Sequence, residues 1–69
     1  MHAASLNRSK RLQRVAALLA DGREYSTLEI VDQARVPAVN TAIAELRANG
    51  IPVAIRRDGR VCYYRREDV

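Results

Sequence analysis

Arginine carries most of the chemistry available to this chain. Eleven of its twelve basic residues are arginine, and the segment IRRDGRVCYY, residues 55 to 64, places Arg56, Arg57 and Arg60 around an Asp-Gly pair. A guanidinium is permanently charged, offers five donors in a planar fork and matches phosphate oxygens two at a time. Arginines gathered at a turn therefore point to an anionic partner, met as phosphate or as a narrow, electronegative groove. Catalytic sets are missing. There is one histidine, no Ser/His/Asp or Cys/His combination and no phosphate-cradling glycine loop, and the paired acids Glu67-Asp68 stand in a terminal segment. No enzyme is expected. A single cysteine, Cys62, rules out an internal disulfide, and His2 has no cysteine or histidine neighbours at metal spacing, so no cofactor or metal is expected.

The charge is laid out unevenly. Residues 1–20 carry Arg8, Lys10, Arg11 and Arg14 and no acid; residues 21–50 carry three arginines against five acids; residues 51–69 carry five arginines against three acids. Basic ends thus flank a mildly acidic middle, which favours an anionic partner over charge that merely keeps a small protein in solution. At 69 residues the chain is one domain with a modest buried fraction. Its 48% hydrophobic and 29% charged residues fit a globular fold rather than a disordered one. No apolar run is long enough for a bilayer and no signal-peptide core opens the chain, so a cytoplasmic protein without a membrane partner is expected. A core this small makes a homodimer attractive.

Three helices and a hairpin must position these residues. Residues 1–8 read as a flexible tail, 9–66 as the domain and 67–69 as a C-terminal tail. From Ser9, the residues Leu12, Val15, Leu18 and Leu19 recur at helical spacing, and Gly22 ends the run. Ser26-Thr27-Leu28-Glu29 has capping-box spacing, with Tyr25 and Ile30 placed for a hydrophobic staple, which predicts a second helix over Thr27 to Ala34 and a short extended segment at Tyr25. Pro37 suits the first turn of a third helix, whose apolar stripe is Val39, Ala42, Ile43 and Leu46 and whose end is Gly50. About three residues, Arg35 to Pro37, join the two, the length of a helix-turn-helix connection.

Beyond Gly50 the period becomes two. Ile51, Val53 and Ile55 alternate with Pro52, Ala54 and Arg56, and Cys62 and Tyr64 share a face on the returning arm. A two-residue Asp58-Gly59 turn of type I′ predicts the pairs Arg57 with Arg60, Ile55 with Cys62 and Val53 with Tyr64. Facing arginines would repel, by a few tenths of a kcal/mol at an exposed, screened tip. A bound phosphate would supply the missing negative charge.

The stretches LLADGREYSTLEI, VNTAIAELRANGIPV and DGRVCYY together resemble the N-terminal DNA-binding domain of biotin-operon repressors and the small stand-alone winged-helix proteins of bacteria and phages. The matching features are the Leu-Leu-Ala-x-Gly helix end, the capped second helix, and Val39, Ile43, Leu46, Arg47 and Gly50 in the third; they span residues 10 to 66. The resemblance implies an α+β winged helix-turn-helix, three helices followed by a two-stranded β-hairpin wing. It also implies binding of double-stranded DNA, the third helix in the major groove and the wing on the backbone or minor groove. Arg35-Val36-Pro37 replaces the small turn residue and serine cap of that family, and its ligase domain has no counterpart in these residues.

With Val39, Ile43 and Leu46 buried, the third helix presents Pro37, Thr41, Ala44 and Ala48, flanked by Asn40, Glu45 and Arg47. Asn40 and Thr41 can reach base edges, asparagine being suited to adenine, or stand as solvated helix positions. Arg35 can reach phosphate or a base edge at the helix entrance. Arg47 meets phosphate or pairs with a nearby acid. Thr27 can offer a backbone N–H to phosphate beside its role in the cap, and Lys10 can flank the same strand. Arg56, Arg57 and Arg60 are the expected wing anchors. The function expected is that of a transcriptional regulator. Its rivals are a protein–protein adaptor on the same scaffold, suggested by the alanine-rich face and Tyr63, and a recombination or packaging accessory factor that shares the DNA chemistry.

Overall fold

A computed structural model describes residues 5–69. Ser9 caps the first helix, α1 (Lys10–Leu19), its hydroxyl accepting the Leu12 N–H at 3.2 Å. Leu12, Val15 and Leu19 form its buried stripe, and the chain leaves through Gly22. A two-residue strand, β1 (Tyr25–Ser26), runs directly into α2 (Thr27–Ala34). The expected capping box is complete. The Glu29 N–H donates to Ser26 Oγ at 3.2 Å, and the Ser26 N–H donates to Glu29 Oε1 at 2.9 Å, so two orphan donors of the first turn are satisfied together.

The third helix, α3 (Val39–Ala48), starts two residues beyond Pro37, which lies in the connection instead of the first turn. Val36 explains the difference. Its side chain is fully buried, so the backbone from Arg35 to Ala38 must first deliver it to the core before a helix can start. The far end of α3 is a Schellman motif: the Ile51 N–H reaches Leu46 O and the Gly50 N–H reaches Arg47 O, both at 3.0 Å, with Ile51 and Leu46 buried against it. Gly50 takes the φ of +87° that this cap requires.

Two longer strands follow, β2 (Val53–Asp58) and β3 (Val61–Arg66). The sheet is antiparallel with order β1-β3-β2, three strands where two were expected, because the extended segment at Tyr25 pairs with Tyr64 and its neighbour Ser26 with Tyr63. The hairpin register also differs from expectation. Asp58 faces Val61, Arg57 faces Cys62, Ile55 faces Tyr64 and Val53 faces Arg66, so the turn is Gly59-Arg60 and the two arginines are not opposed. A type I′ turn at Asp58-Gly59 needs positive φ at both residues, whereas only Gly59 has it, at +61°. Glycine at the first central position is the type II′ arrangement, which spares Asp58 the left-handed conformation. The pairing shifts by two residues in sum, so every side chain keeps its face. Val53, Ile55, Arg57, Cys62, Tyr64 and Arg66 share one face; Ala54, Arg56, Asp58, Val61, Tyr63 and Arg65 share the other.

The core joins α1, α2 and α3 to one face of the sheet through Leu12, Val15, Leu19, Ile30, Ala34, Val36, Val39, Ala42, Ile43, Leu46, Ile51, Val53 and Tyr64. Each large aliphatic side chain so buried contributes roughly 1.5–3 kcal/mol. Segments read as tails are held to it. Leu6–Arg8 forms a 3₁₀ turn whose Leu6 packs on the core and donates its N–H to Asn49 Oδ1 at 2.9 Å. The Glu67 N–H reaches Pro52 O at 3.0 Å. The rest of the expected N-terminal tail, residues 1–4, lies outside the described residues. Among the described residues no helix is long and apolar enough to cross a membrane.

Replacing Ser26 with alanine removes the acceptor of the capping box and should cost about 1 kcal/mol. Thermal unfolding followed by circular dichroism should then shift down by about 4–8 °C. An unchanged midpoint would mean that tertiary packing alone starts α2.

Candidate functional site

Because β1 leads straight into α2 while pairing with β3, the first turn of α2 is brought beside the hairpin. The start of α3 approaches the same strand. Between them lies a groove of 360 Å³ walled by Thr27, Pro37, Ala38, Val39, Asn40, Thr41, Cys62 and Tyr64. A smaller cleft of 120 Å³, walled by Ser26, Thr27, Leu28, Arg60, Val61 and Cys62, adjoins it through Thr27 and Cys62. No acidic side chain lines either one. Among the described residues no group of three His, Cys, Asp or Glu is arranged to hold a metal ion.

The expected site residues divide into two groups. Thr27, Asn40 and Thr41 stand together in the groove. Arg60 borders the adjoining cleft, and Arg57 lies on the groove-facing side of β2, cross-strand from Cys62, with its Nε donating only locally to Gly59 O at 3.2 Å. Arg35 stands two residues before Pro37 and borders a third depression with Val31, Asp32, Val36 and Pro37. The other expected arginines have internal partners. Arg47 donates from Nη2 and Nε to the Val53 carbonyl at 2.6 and 3.2 Å, tying α3 to the start of β2 rather than pairing with an acid. Arg56 lies on the opposite face of the hairpin. It forms a two-point ion pair with Glu24, at 2.9 and 3.1 Å, and stacks 4.5 Å from the Tyr63 ring centroid. Lys10, exposed at the start of α1, has no hydrogen-bonding or ion-pair partner among the described residues.

The basic start of α1, unfavourable toward its own dipole, is explained from within. Arg11 pairs with Glu45 of α3 at 2.9 Å, and Arg14 Nε donates to Ala34 O at 2.8 Å, placing a cation on the last carbonyls of α2. Arg11, Arg14 and Arg56 are therefore ion-paired or backbone-bonded, whereas Arg8, Lys10, Arg23, Arg35, Arg57, Arg60 and Arg65 form no ion pair among the described residues.

Two features of the site were hidden in the sequence. Tyr64, only 2% exposed, donates its hydroxyl to Asn40 Oδ1 at 2.8 Å. A tyrosine at a core position of a strand was the available signal, since a buried phenol needs an acceptor. The second is Arg35, which adopts the left-handed conformation at φ +55°, ψ +50° as the C-cap of α2. A long side chain there costs roughly 1–2 kcal/mol that glycine would avoid.

Three carboxyls are held below their ordinary range by hydrogen-bond donors: Asp21 by the Tyr25 hydroxyl, Glu24 by the Arg56 guanidinium and Asp68 by Arg66. The Tyr25 phenol is pushed up in return by Asp21. No protein-family model, curated protein or solved structure matches this chain.

Arg35→Gly should relieve the strained cap while loosening the unfolded chain less than it gains, so urea unfolding should stay within about 1 kcal/mol of wild type, on the stabilised side. A larger loss would show that the side chain holds the turn. Glu24 titrates lower in the folded chain than its ordinary 4.5, so its ion pair adds stability above that pH and loses it as pH falls further. Glu24→Gln should lower the thermal-unfolding midpoint slightly at neutral pH, give a flatter acid limb and converge with wild type as pH falls well below 4.5.

Proposed function

We propose that this chain is a winged helix-turn-helix protein that binds double-stranded DNA, most naturally as a transcriptional regulator. In this reading α2 and α3 form the helix-turn-helix and β2 with β3 forms the wing. The observation that carries it is the acid-free groove between α3 and the hairpin, with Arg60 on the adjoining cleft and Arg57 on the same face of β2, neither paired to an acid. Arg11, Arg14, Arg47, Arg56 and Arg66 are paired or bonded to backbone, while Arg57 and Arg60 keep their charge on the side of the hairpin where a duplex would meet α3. The start of α3 enters the major groove with Thr41 and Asn40 toward the base edges, while the small Ala44 and Ala48 let the helix sit close. Arg57 and Arg60 lie against phosphates or in the flanking minor groove, and Arg35 meets the strand at the helix entrance. The strained backbone of Arg35 supports the same role, since non-glycine residues in that conformation gather at functional sites.

Exposed Leu28 (79%) and Val61 (41%) beside the cleft favour a second reading, a protein–protein adaptor. Fluorescence anisotropy with duplex DNA at several salt concentrations separates the two. DNA binding predicts affinity that falls steeply with salt, and Arg35→Ala, Arg57→Ala and Arg60→Ala should each lower the log–log slope by about 0.9. Arg56→Ala, which removes a paired guanidinium on the other face, should leave the slope nearly unchanged. No binding at low salt supports the adaptor, and equal effects of all four substitutions would remove the groove from the argument.

A further inference from the structure

The exposed side of α3 is bracketed by two different elements. Asn40 and Arg47, two helical turns apart and so on one side of the helix, are tied to the hairpin. Asn40 Oδ1 accepts from the Tyr64 hydroxyl at 2.8 Å, and Arg47 donates to Val53 O. Glu45 and Asn49, one turn apart, lie on the other side and are tied to the N-terminal segment. Arg11 pairs with Glu45 at 2.9 Å, and the Leu6 N–H donates to Asn49 Oδ1 at the same distance. Exposed Thr41, Ala44 and Ala48 stand between the two sides. The N-terminal segment is firmly held. The Leu6 carbonyl accepts from Gln13 Nε2 at 3.1 Å, and the Arg8 and Ser9 N–H groups close on Ser5 O at 3.1 and 3.0 Å. Arg8 and Lys10 lie on it, exposed and without an ion pair among the described residues. Glu45, the acid of α3 on this side, is 12% exposed and engaged by Arg11.

We infer that Arg8 and Lys10 form a second phosphate-contact site, and that it takes the strand across the major groove from the one met by the wing. The inference rests on the DNA-binding reading and extends it to a segment that neither the groove nor the hairpin includes. A helix seated in a major groove has a phosphate backbone along each side of it. The hairpin, with Arg57 and Arg60, serves one of these. The other comes up against the Leu6–Arg8 turn and the start of α1. There two cations stand without an internal counter-charge, and Glu45 is already neutralised, so nothing opposes a phosphate. Contacts of this kind add affinity and fix orientation without reading sequence. Held from both sides, α3 is centred in the groove, and its few base contacts meet the same base pairs each time.

The test is anisotropy on the duplex that wild type enriches most from a randomised pool, with wild type, Arg8→Ala/Lys10→Ala, Arg57→Ala/Arg60→Ala and Arg23→Ala. Circular dichroism should be native for all four, and Arg8→Gln/Lys10→Gln serves where alanine disturbs the 3₁₀ turn. Each double substitution should lower the log–log salt slope by about 1.8, the release belonging to two phosphates. Arg23, exposed and equally without an ion pair, stands beyond the far end of α1, so Arg23→Ala should leave the slope unchanged. Neutral methylphosphonate linkages, placed one at a time, then locate the contacts. In wild type the linkages that weaken binding should fall on both strands, facing each other across one stretch of major groove. Arg8→Ala/Lys10→Ala should become insensitive to those on one strand, and Arg57→Ala/Arg60→Ala to those on the other. An unchanged slope in a folded Arg8/Lys10 double variant overturns the inference while leaving DNA binding intact, as does insensitivity of both double variants to the same linkages. Failure of wild type to bind any duplex at low salt overturns both.

Discussion

A phenol buried on a central strand must find an acceptor, and much of this structure follows from where it does. Tyr64 sits on β3 between Tyr25 of β1 and Ile55 of β2, and among the fully buried side chains it is one of the largest. Its ring contributes apolar burial where the sheet meets the helices, and its hydroxyl reaches the first turn of α3. One side chain thus fixes the distance between sheet and helix and the width of the groove they enclose. Packing density in a core of this size leaves little room for that distance to vary.

The arginines carry the other half of the organisation. A net charge of +4 is a poor guide to the charge available to a partner, because position decides what each guanidinium does. Arg11 and Arg14 join three helices, Arg47 joins α3 to β2, and Arg56 is sandwiched between Glu24 and Tyr63. Exposed pairs of this kind add little stability singly, yet they remove charge from the field seen at a distance. Among the guanidiniums left without an ion pair, Arg57 and Arg60 lie on the side of the groove.

Local signals made most of the elements legible. The Ser26–Glu29 box gave α2 its bounds, the apolar stripe gave α3 its buried face, and alternation gave the hairpin its two faces, all through interactions within a few residues. The misread features depend on conformations and partners that composition does not encode. Asp-Gly suits a type I′ turn, but only the φ values of Asp58 and Arg60 reveal that glycine stands first in the turn. Pro37 looked like a helix start because nothing local announces that Val36 must be buried. In the site, Thr27, Asn40 and Thr41 were legible as exposed residues at helix starts, but their sharing one groove follows from tertiary packing. The fates of Arg47 and Arg56 were not, since their partners, Val53 and Glu24, are set by tertiary packing.

The strand order has a consequence for how the chain acquires its fold. The middle strand, β3, is the last of the three in sequence, and its partner β1 lies at residues 25–26, on the other side of two helices. During synthesis α1, α2 and α3 can form and touch while the sheet still lacks its centre, and the buried hydroxyl that orders the groove arrives with that last strand. The surface proposed to meet DNA therefore depends on pairings between segments far apart in sequence, and its central strand is the last to be synthesised.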